Sequence, residues 1–218
     1  MKLKNLSALF TFALLLGACS SGPSNHTQGI YMLIDTSGTY TKEVDKAQQV
    51  INYTLAKLQS NDTFVVASIN TGSFSEKNII AKMTLDDRPS KANQQKRLFK
   101  QNIDDYVTKI KSSSYTDISG GILQATDYLT EKDNGKKTIF IFSDLKEELK
   151  KGYVRDIPFN LKGVRVVALN VTKLKSDNID PREYMDRVTL WSKKVESSGG
   201  SWLIINDLEH LNKILVQD

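Results

Sequence analysis

The chain has 218 residues, of which 39% are hydrophobic and 25% are charged, with twelve glycines and four prolines. This composition is typical of a globular protein and excludes a disordered, collagen-like or coiled-coil chain. The 30 basic and 25 acidic residues give a formal net charge of +5. Basic and acidic residues are interleaved along the sequence, which is typical of a solvated surface rather than a nucleic-acid groove. No internal repeat or interior linker is visible, so we expect a single domain.

The N-terminal segment has the pattern of a secretory signal. Lys2 and Lys4 precede an apolar run at residues 6–16, which is too short to span a bilayer comfortably. The sole cysteine, Cys19, follows Leu-Gly-Ala, and these four residues resemble the lipobox of bacterial lipoproteins. That resemblance implies a signal peptide at residues 1–18, acylation of Cys19 and a cell-envelope location that faces the periplasm. The alternative is a buried thiol that happens to follow an apolar stretch.

Residues 20–28, rich in Ser, Gly, Pro and Asn, predict a flexible tether between the acylated Cys19 and the domain. Enteric-type lipoproteins that stay at the inner membrane usually carry Asp after the cysteine, whereas this chain has Ser20. The resemblance therefore favours the outer membrane. The remaining residues, 29–218, are assigned to the folded domain.

Strand and helix patterns alternate through those residues. Compact apolar runs predict six strands, of which the third is more polar and suits a sheet edge; they lie at 29–35, 62–70, 79–85, 137–143, 164–170 and 201–205. Apolar residues at three- and four-residue spacing predict helices between them, at 42–59, after Ser90, from Ile118, around 184–195 and at 208–215. This alternation indicates an α/β protein: a three-layer Rossmann-like sandwich with a mostly parallel central sheet flanked by helices.

Polar residues occupy the loops at the ends of two predicted strands and at the start of one predicted helix. Asp35, Ser37 and Thr39 follow the first strand, Thr116 precedes the third helix, and Asp144 follows the fourth strand. With strand order 3-2-1-4-5-6 and strand 3 as an antiparallel edge, the first and fourth strands are neighbours where the order reverses, which is where ligands bind in such sheets. Carboxylate and hydroxyl oxygens are ligands for Mg²⁺ or Mn²⁺ in preference to softer metals, with Ca²⁺ less suited.

These residues resemble the metal-ion-dependent adhesion site of von Willebrand factor A domains, whose pattern is D-x-S-x-S, a Thr in a second loop and an Asp after the fourth strand. The resemblance covers residues 29–218. It implies that Ser37, Thr39 and sometimes Thr116 contact a divalent cation directly, while Asp35 and Asp144 often act through water. It also implies that a carboxylate from a protein partner completes the coordination. This chain departs from the pattern at Thr39 and in Asp144-Leu145-Lys146, where many relatives have Asp-Gly.

Two other functions stay open at this point. Asp35-Thr36-Ser37-Gly38 superficially matches the turn of aspartic proteases, but those need a second copy and an almost all-β fold. A haloacid-dehalogenase-type phosphatase needs a second Asp where this chain has Ser37, and His26 and His210 make no constellation with a nucleophile. We therefore predict no enzyme and no catalytic residue. The alternatives that stay open are a passive structural lipoprotein, whose metal site has decayed and whose polar loop residues only satisfy turns, and a metal-dependent hydrolase.

Overall fold

A computed structural model describes residues 26–38, 43–70, 72, 75–170 and 180–216. The predicted signal peptide, Cys19 and Thr39 lie outside the described residues. Every strand and helix described below falls within 28–216. Among the residues described, none of the helices combines the length and apolar character needed to cross a membrane.

The centre of the molecule is one six-stranded sheet with the order β3-β2-β1-β4-β5-β6. All neighbouring pairs are parallel except β2 and β3, which are antiparallel. The predicted strand order and the antiparallel edge strand are therefore confirmed. The strands are β1 (Gln28–Ile34), β2 (Thr63–Ser68), β3 (Ile79–Thr84), β4 (Lys136–Phe142), β5 (Val164–Leu169) and β6 (Ser201–Ile205).

Helices cover both faces of the sheet and give the three layers that the sequence predicts. They are α1 (Val44–Lys57), α2 (Pro89–Lys109), α3 (Ile118–Glu131), α4 (Pro181–Ser197) and α5 (Leu208–Val216). Strand β1 is a continuous apolar run because its side chains point alternately into two cores. Ile30 and Met32 pack in one core with α1, α2 and α5, while Tyr31 and Leu33 pack in the other with α3 and α4. Because both faces of this strand are buried, its sequence does not alternate between apolar and polar residues.

The structure also adjusts the predicted boundaries. Gln28, which the sequence analysis assigns to the tether, is the first residue of β1. A short 3₁₀ helix at Glu76–Asn78, absent from the sequence analysis, leads into β3. Trp191 is fully buried in the core that α3 and α4 cover, and Trp202 in β6 is half-buried and packs against the same core.

Candidate functional site

The predicted site residues lie at the carboxyl ends of two adjacent parallel strands. Asp35 follows β1 directly, and Asp144 is separated from the end of β4 by Ser143. The two strand ends are joined because the Asp35 backbone N–H donates to the Phe142 carbonyl at 2.9 Å. Since β1 and β4 are neighbours where the strand order reverses, their following loops open into one crevice, as the sequence predicts.

Asp35 is completely buried and organises the hydroxyl groups around it. The Ser143 hydroxyl donates to Asp35 Oδ2 at 2.7 Å, and the Thr116 hydroxyl donates to Oδ1 at 3.3 Å. The Ser37 backbone N–H also donates to Oδ1, at 2.8 Å. Both carboxylate oxygens therefore accept hydrogen bonds from groups on three different loops. Asp35 lies behind these groups, where it fixes their positions.

In front of these groups is an open cavity of about 370 Å³. Ser37, Thr116 and Asp144 all line it, so the structure brings three of the five predicted residues to one space. Lys146 and Glu148 also line it and form an ion pair at 2.6 Å. The rest of the lining is Gly38, Ser112, Ser113 and Ser114. Thr39 lies outside the described residues, so its prediction stays open.

The second loop is fixed to both of the others by backbone hydrogen bonds. The Ser113 N–H donates to the Thr36 carbonyl at 2.8 Å, and Thr116 and Glu148 exchange two backbone hydrogen bonds at 2.8 and 2.9 Å. These bonds hold Thr116 against Asp35 without relying on its side chain. The loop that carries Thr116 is thus tied to the Asp35 loop on one side and to the Asp144 loop on the other.

Asp117, rather than Thr116, caps the N-terminus of α3. Its carboxylate accepts from the Gly120 N–H at 2.8 Å and forms an ion pair with Arg155 at 2.6 Å. Both Thr and Asp are good N-cap residues, so the sequence alone does not distinguish them. Because Asp117 takes this role, the Thr116 hydroxyl is available to face Asp35 and the cavity.

The two carboxylates of the site are difficult to ionise. The pKa of Asp144 is raised to about 6, chiefly by burial and in part by the nearby Asp35 charge, while the hydrogen bond from the Lys146 backbone N–H and the charges of Arg187 and Lys146 act to lower it. Burial also raises the pKa of Asp35, against the hydrogen bonds from Ser143, Ser37 and Thr116. Two carboxylates in a desolvated site repel each other, and an added positive charge relieves that repulsion.

The loop after β4 is held from below by α4. The Trp191 indole N–H donates to the Leu145 carbonyl at 3.0 Å, and the Arg187 guanidinium donates to the Asp144 carbonyl at 3.1 Å. Leu145 is buried and has a φ of +66°, in the left-handed region that favours glycine. The sequence analysis misses Arg187 and Trp191 as residues that position the site. Both side chains donate to backbone carbonyls, which every residue type has, so the sequence of the accepting residues does not indicate these bonds.

The donor set fits a hard divalent cation. The cavity presents the hydroxyl residues Ser37 and Thr116 and the carboxylate of Asp144, with Asp35 supplying a second negative charge behind them. Among the described residues there is no group of three or more His, Cys, Asp or Glu side chains suited to a metal. A site here therefore depends on hydroxyl oxygens as much as on carboxylates. His210 is paired with Asp207 at 2.7 Å in the α5 region and does not line the cavity.

No protein-family model matches the sequence, and no curated protein sequence matches it either. Solved structures do match. A von Willebrand factor type A protein from Catenulispora acidiphila aligns with 88% of this chain at 12% identity and a TM-score of 0.53. The pilus adhesin SpaC from Lactobacillus rhamnosus GG, in an open conformation, aligns with 88% of it at 12% identity and a TM-score of 0.54. The aligned regions span 41% and 29% of those two chains.

These matches and the strand order define the class of fold. The protein has a von Willebrand factor A-like fold: a mixed six-stranded sheet of order 3-2-1-4-5-6 with helices on both faces. The predicted fold class is confirmed.

Proposed function

We propose that this protein is a lipid-anchored adaptor of the bacterial cell envelope that binds an acidic group of a protein partner through Mg²⁺ or Mn²⁺. The cation would be held by Asp35, Ser37, Thr39, Thr116 and Asp144, and the lipid by Cys19. One observation carries the proposal: Ser37, Thr116 and Asp144, from three loops, line a single cavity with Asp35 buried behind them. The proposed role is binding and not catalysis.

The electrostatics of the cavity support a cation. Asp35 and Asp144 are each less than 5% exposed, and burial raises both pKa values, which disfavours two negative charges at neutral pH. When bound, a divalent cation supplies the compensating charge and a coordination position for a carboxylate from outside. Asp35 keeps the Thr116 hydroxyl oriented, and the open mouth of the cavity gives a partner access.

The fold supports a role in protein interaction. One of the solved structures that shares this fold is a pilus adhesin. The cavity lining contains hydroxyl, carboxylate and ammonium groups but no histidine or cysteine among the described residues. That set offers ligands for a cation without a nucleophile paired with a base, so adhesion fits it better than acid–base or covalent catalysis.

A second candidate function rests on Lys146. Its side chain lines the cavity, and its positive charge lowers the pKa of Asp144. The Lys146 ammonium group thus supplies a positive charge at the site, which favours a structural lipoprotein that needs no metal. However, Lys146 is already paired with Glu148 at 2.6 Å and is about half exposed, so it compensates only part of the buried charge.

Thermal unfolding in EDTA and then with about 10 mM Mg²⁺ or Mn²⁺ separates the two candidates. A site with a dissociation constant of about 1 mM gains about 1.4 kcal/mol under these conditions. For a domain of this size, that gain raises the Tm by about 3 to 6 °C. Ser37→Ala should abolish the shift, whereas Ser114→Ala, which alters a serine of the same cavity outside the predicted ligand set, should retain it.

An absent shift in the wild-type protein, or an equal shift in both serine variants, would favour the metal-free structural role. Two further experiments address the adaptor itself. Capture of envelope proteins on the purified domain should be sensitive to EDTA and lost with Ser37→Ala. Cys19→Ser should move the protein from the membrane fraction to the soluble fraction, and an unchanged fractionation would contradict the lipid anchor.

A further inference from the structure

The connection between β4 and β5 is a long loop that exposes apolar side chains. It runs over residues 143–163 and contains no helix or strand, although parallel neighbours are usually joined by a helix. Loops of this length without regular structure are uncommon in compact domains and are usually functional. Tyr153 and Val154, near the middle of the loop, are 43% and 72% exposed. Neighbouring large apolar side chains in solvent indicate a contact surface.

A buried ion pair fixes this part of the loop beside the candidate metal site. The guanidinium of Arg155, the residue after Val154, contacts the Asp117 carboxylate at 2.6 Å, and the two side chains are 15% and 0% exposed. The same guanidinium lies 5.5 Å from the centre of the Tyr153 ring, within the range of a cation–π contact. Asp117 directly follows Thr116, which lines the metal cavity. The exposed loop residues are therefore held next to the segment that carries Thr116.

Tyr115 connects these loop residues to the cavity. It is 36% exposed and stands between Ser114 and Thr116, both of which line the cavity. The Ser113 hydroxyl accepts from the Tyr115 N–H at 3.0 Å and donates to the Tyr115 carbonyl at 2.8 Å. These bonds fix the backbone of Tyr115. Aromatic side chains on a fixed backbone lose little conformational entropy when a partner covers them.

The position and charge of this surface indicate what would cover it. β1 begins at Gln28, at the other end of the sheet, so a tether that leads into β1 brings that end, and not these loops, to a membrane. Lys150 and Lys151 precede Tyr153 and are exposed, and the Tyr153 N–H donates to the Lys150 carbonyl at 2.9 Å. Apolar side chains beside basic residues complement a protein segment that is both apolar and acidic.

We propose that Tyr115, Tyr153 and Val154, here called the apolar rim, bind apolar side chains of the same partner segment whose carboxylate the cation takes. The inference rests on the cation-dependent binding in the proposed function and adds the chemistry of the partner. That partner presents a segment in which Asp or Glu stands close to apolar residues. The cation fixes the carboxylate, and the rim distinguishes this segment from other acidic surfaces. Aromatic anchors of this kind commonly dominate the energy of an interface.

Selection from a phage-displayed library of random short peptides tests the rim without a known partner. The bait is the chain from residue 19 onwards with Cys19→Ser, which contains every described strand and helix. Phage bind in about 10 mM Mg²⁺ and are eluted with EDTA. The rim variant is Tyr153→Ser/Val154→Ser. Its matched control is Leu98→Ser/Leu190→Ser, because these leucines are 53% and 54% exposed on α2 and α4 and do not line the cavity.

We expect the wild-type bait and the control to select peptides that combine Asp or Glu with apolar residues and bind only with Mg²⁺. Truncation of an interface anchor weakens binding by about fivefold or more. The rim variant should therefore bind these peptides about 25-fold more weakly, while it continues to select acidic residues. Since all four substituted positions are exposed, the Tm in EDTA should stay within about 3 °C of the wild-type value.

The outcomes separate this inference from the proposed function. Acidic peptides without an apolar preference, or an equal preference in the rim variant, would overturn the assignment of the rim and leave cation-dependent adhesion standing. If no selected peptide depends on Mg²⁺, the proposed function fails and the inference fails with it.

Two other occupants of the rim give different results. A dimer in sedimentation velocity that only the rim variant loses would show that a second copy of the chain covers the rim. Binding in EDTA to vesicles with about one third phosphatidylglycerol, again lost only in the rim variant, would show that the rim contacts a membrane. Either result would refute the assignment of a protein segment.

Discussion

Replacing Asp144 by asparagine should stabilise the metal-free protein. Asp144 is 4% exposed, and burial raises its pKa from 3.8 to about 6. A carboxylate whose pKa is higher in the folded state than in the unfolded state lowers stability as the pH rises between the two values. This loss begins near pH 4 and is complete above about pH 6. At 1.36 kcal/mol per pKa unit, it amounts to about 3 kcal/mol at neutral pH.

Asp144→Asn removes this charge and keeps the oxygen that accepts from the Lys146 N–H at 2.9 Å. In EDTA at about pH 7.5, we expect the variant to gain up to about 3 kcal/mol over the wild-type protein, or about 6 to 12 °C in Tm. The gain should shrink to nothing as the pH falls towards about 4. The same variant should lose the Tm increase caused by Mg²⁺, since it lacks the charge that a cation would neutralise.

Chemical denaturation with urea over this pH range, with and without Mg²⁺, measures both effects. Asp105→Asn is the matched control, because Asp105 is exposed on α2 and the substitution should change stability by less than about 0.5 kcal/mol. If Asp144→Asn is less stable than the wild-type protein at pH 7.5 in EDTA, or retains the full response to Mg²⁺, the electrostatic reasoning for this site is refuted.

Two further variants test how the neighbouring loops are held. Leu145→Gly relieves a positive φ that costs about 1 kcal/mol, but it also removes a buried side chain that contributes about 2 to 5 kcal/mol. Urea denaturation should therefore show a net loss of stability of about 1 to 4 kcal/mol. A gain in stability would mean that the backbone strain outweighs the packing. Arg155→Met leaves the fully buried Asp117 charge without its partner and should cost about 3 kcal/mol. Adding Asp117→Asn, which retains an N-cap acceptor, should recover part of that loss; an equal or larger loss in the double variant would contradict this account.

The fold could be predicted from the sequence because burial leaves a periodic pattern. β1 and β4 are buried on both faces, so their sequences are continuous apolar runs. β3 has exposed positions, so its sequence is more polar and predicts an edge strand. The 3₁₀ helix at Glu76–Asn78 escapes such analysis because a single turn is too short to repeat a pattern. The first residue of β1 is missed for a similar reason: Gln28 is polar and pairs at the sheet margin beside Lys136.

The candidate site could be predicted only in part. Side chains that face the cavity have to be oxygen donors, so Ser37, Thr116 and Asp144 are visible as a pattern of residue types, and the structure places them around one cavity. Whether a cation binds there stays a prediction. The groups that hold the Asp144 loop, Arg187 and Trp191, donate to backbone carbonyls. Any residue type can accept such a bond, so the partners carry no sequence signal.

The support from α4 also explains how leucine is accommodated where the resemblance leads one to expect glycine. Leu145 keeps the left-handed backbone that a glycine would adopt freely, at a cost of about 1 kcal/mol. The packing of its side chain in the core shared by α3 and α4 offsets that cost, whereas the bond from Trp191 to its carbonyl would also form with glycine. A glycine would keep the turn but lose the packing. The loop that carries Asp144 is therefore fixed to α4 by the packing of the Leu145 side chain and by the bonds from Trp191 and Arg187 to backbone carbonyls.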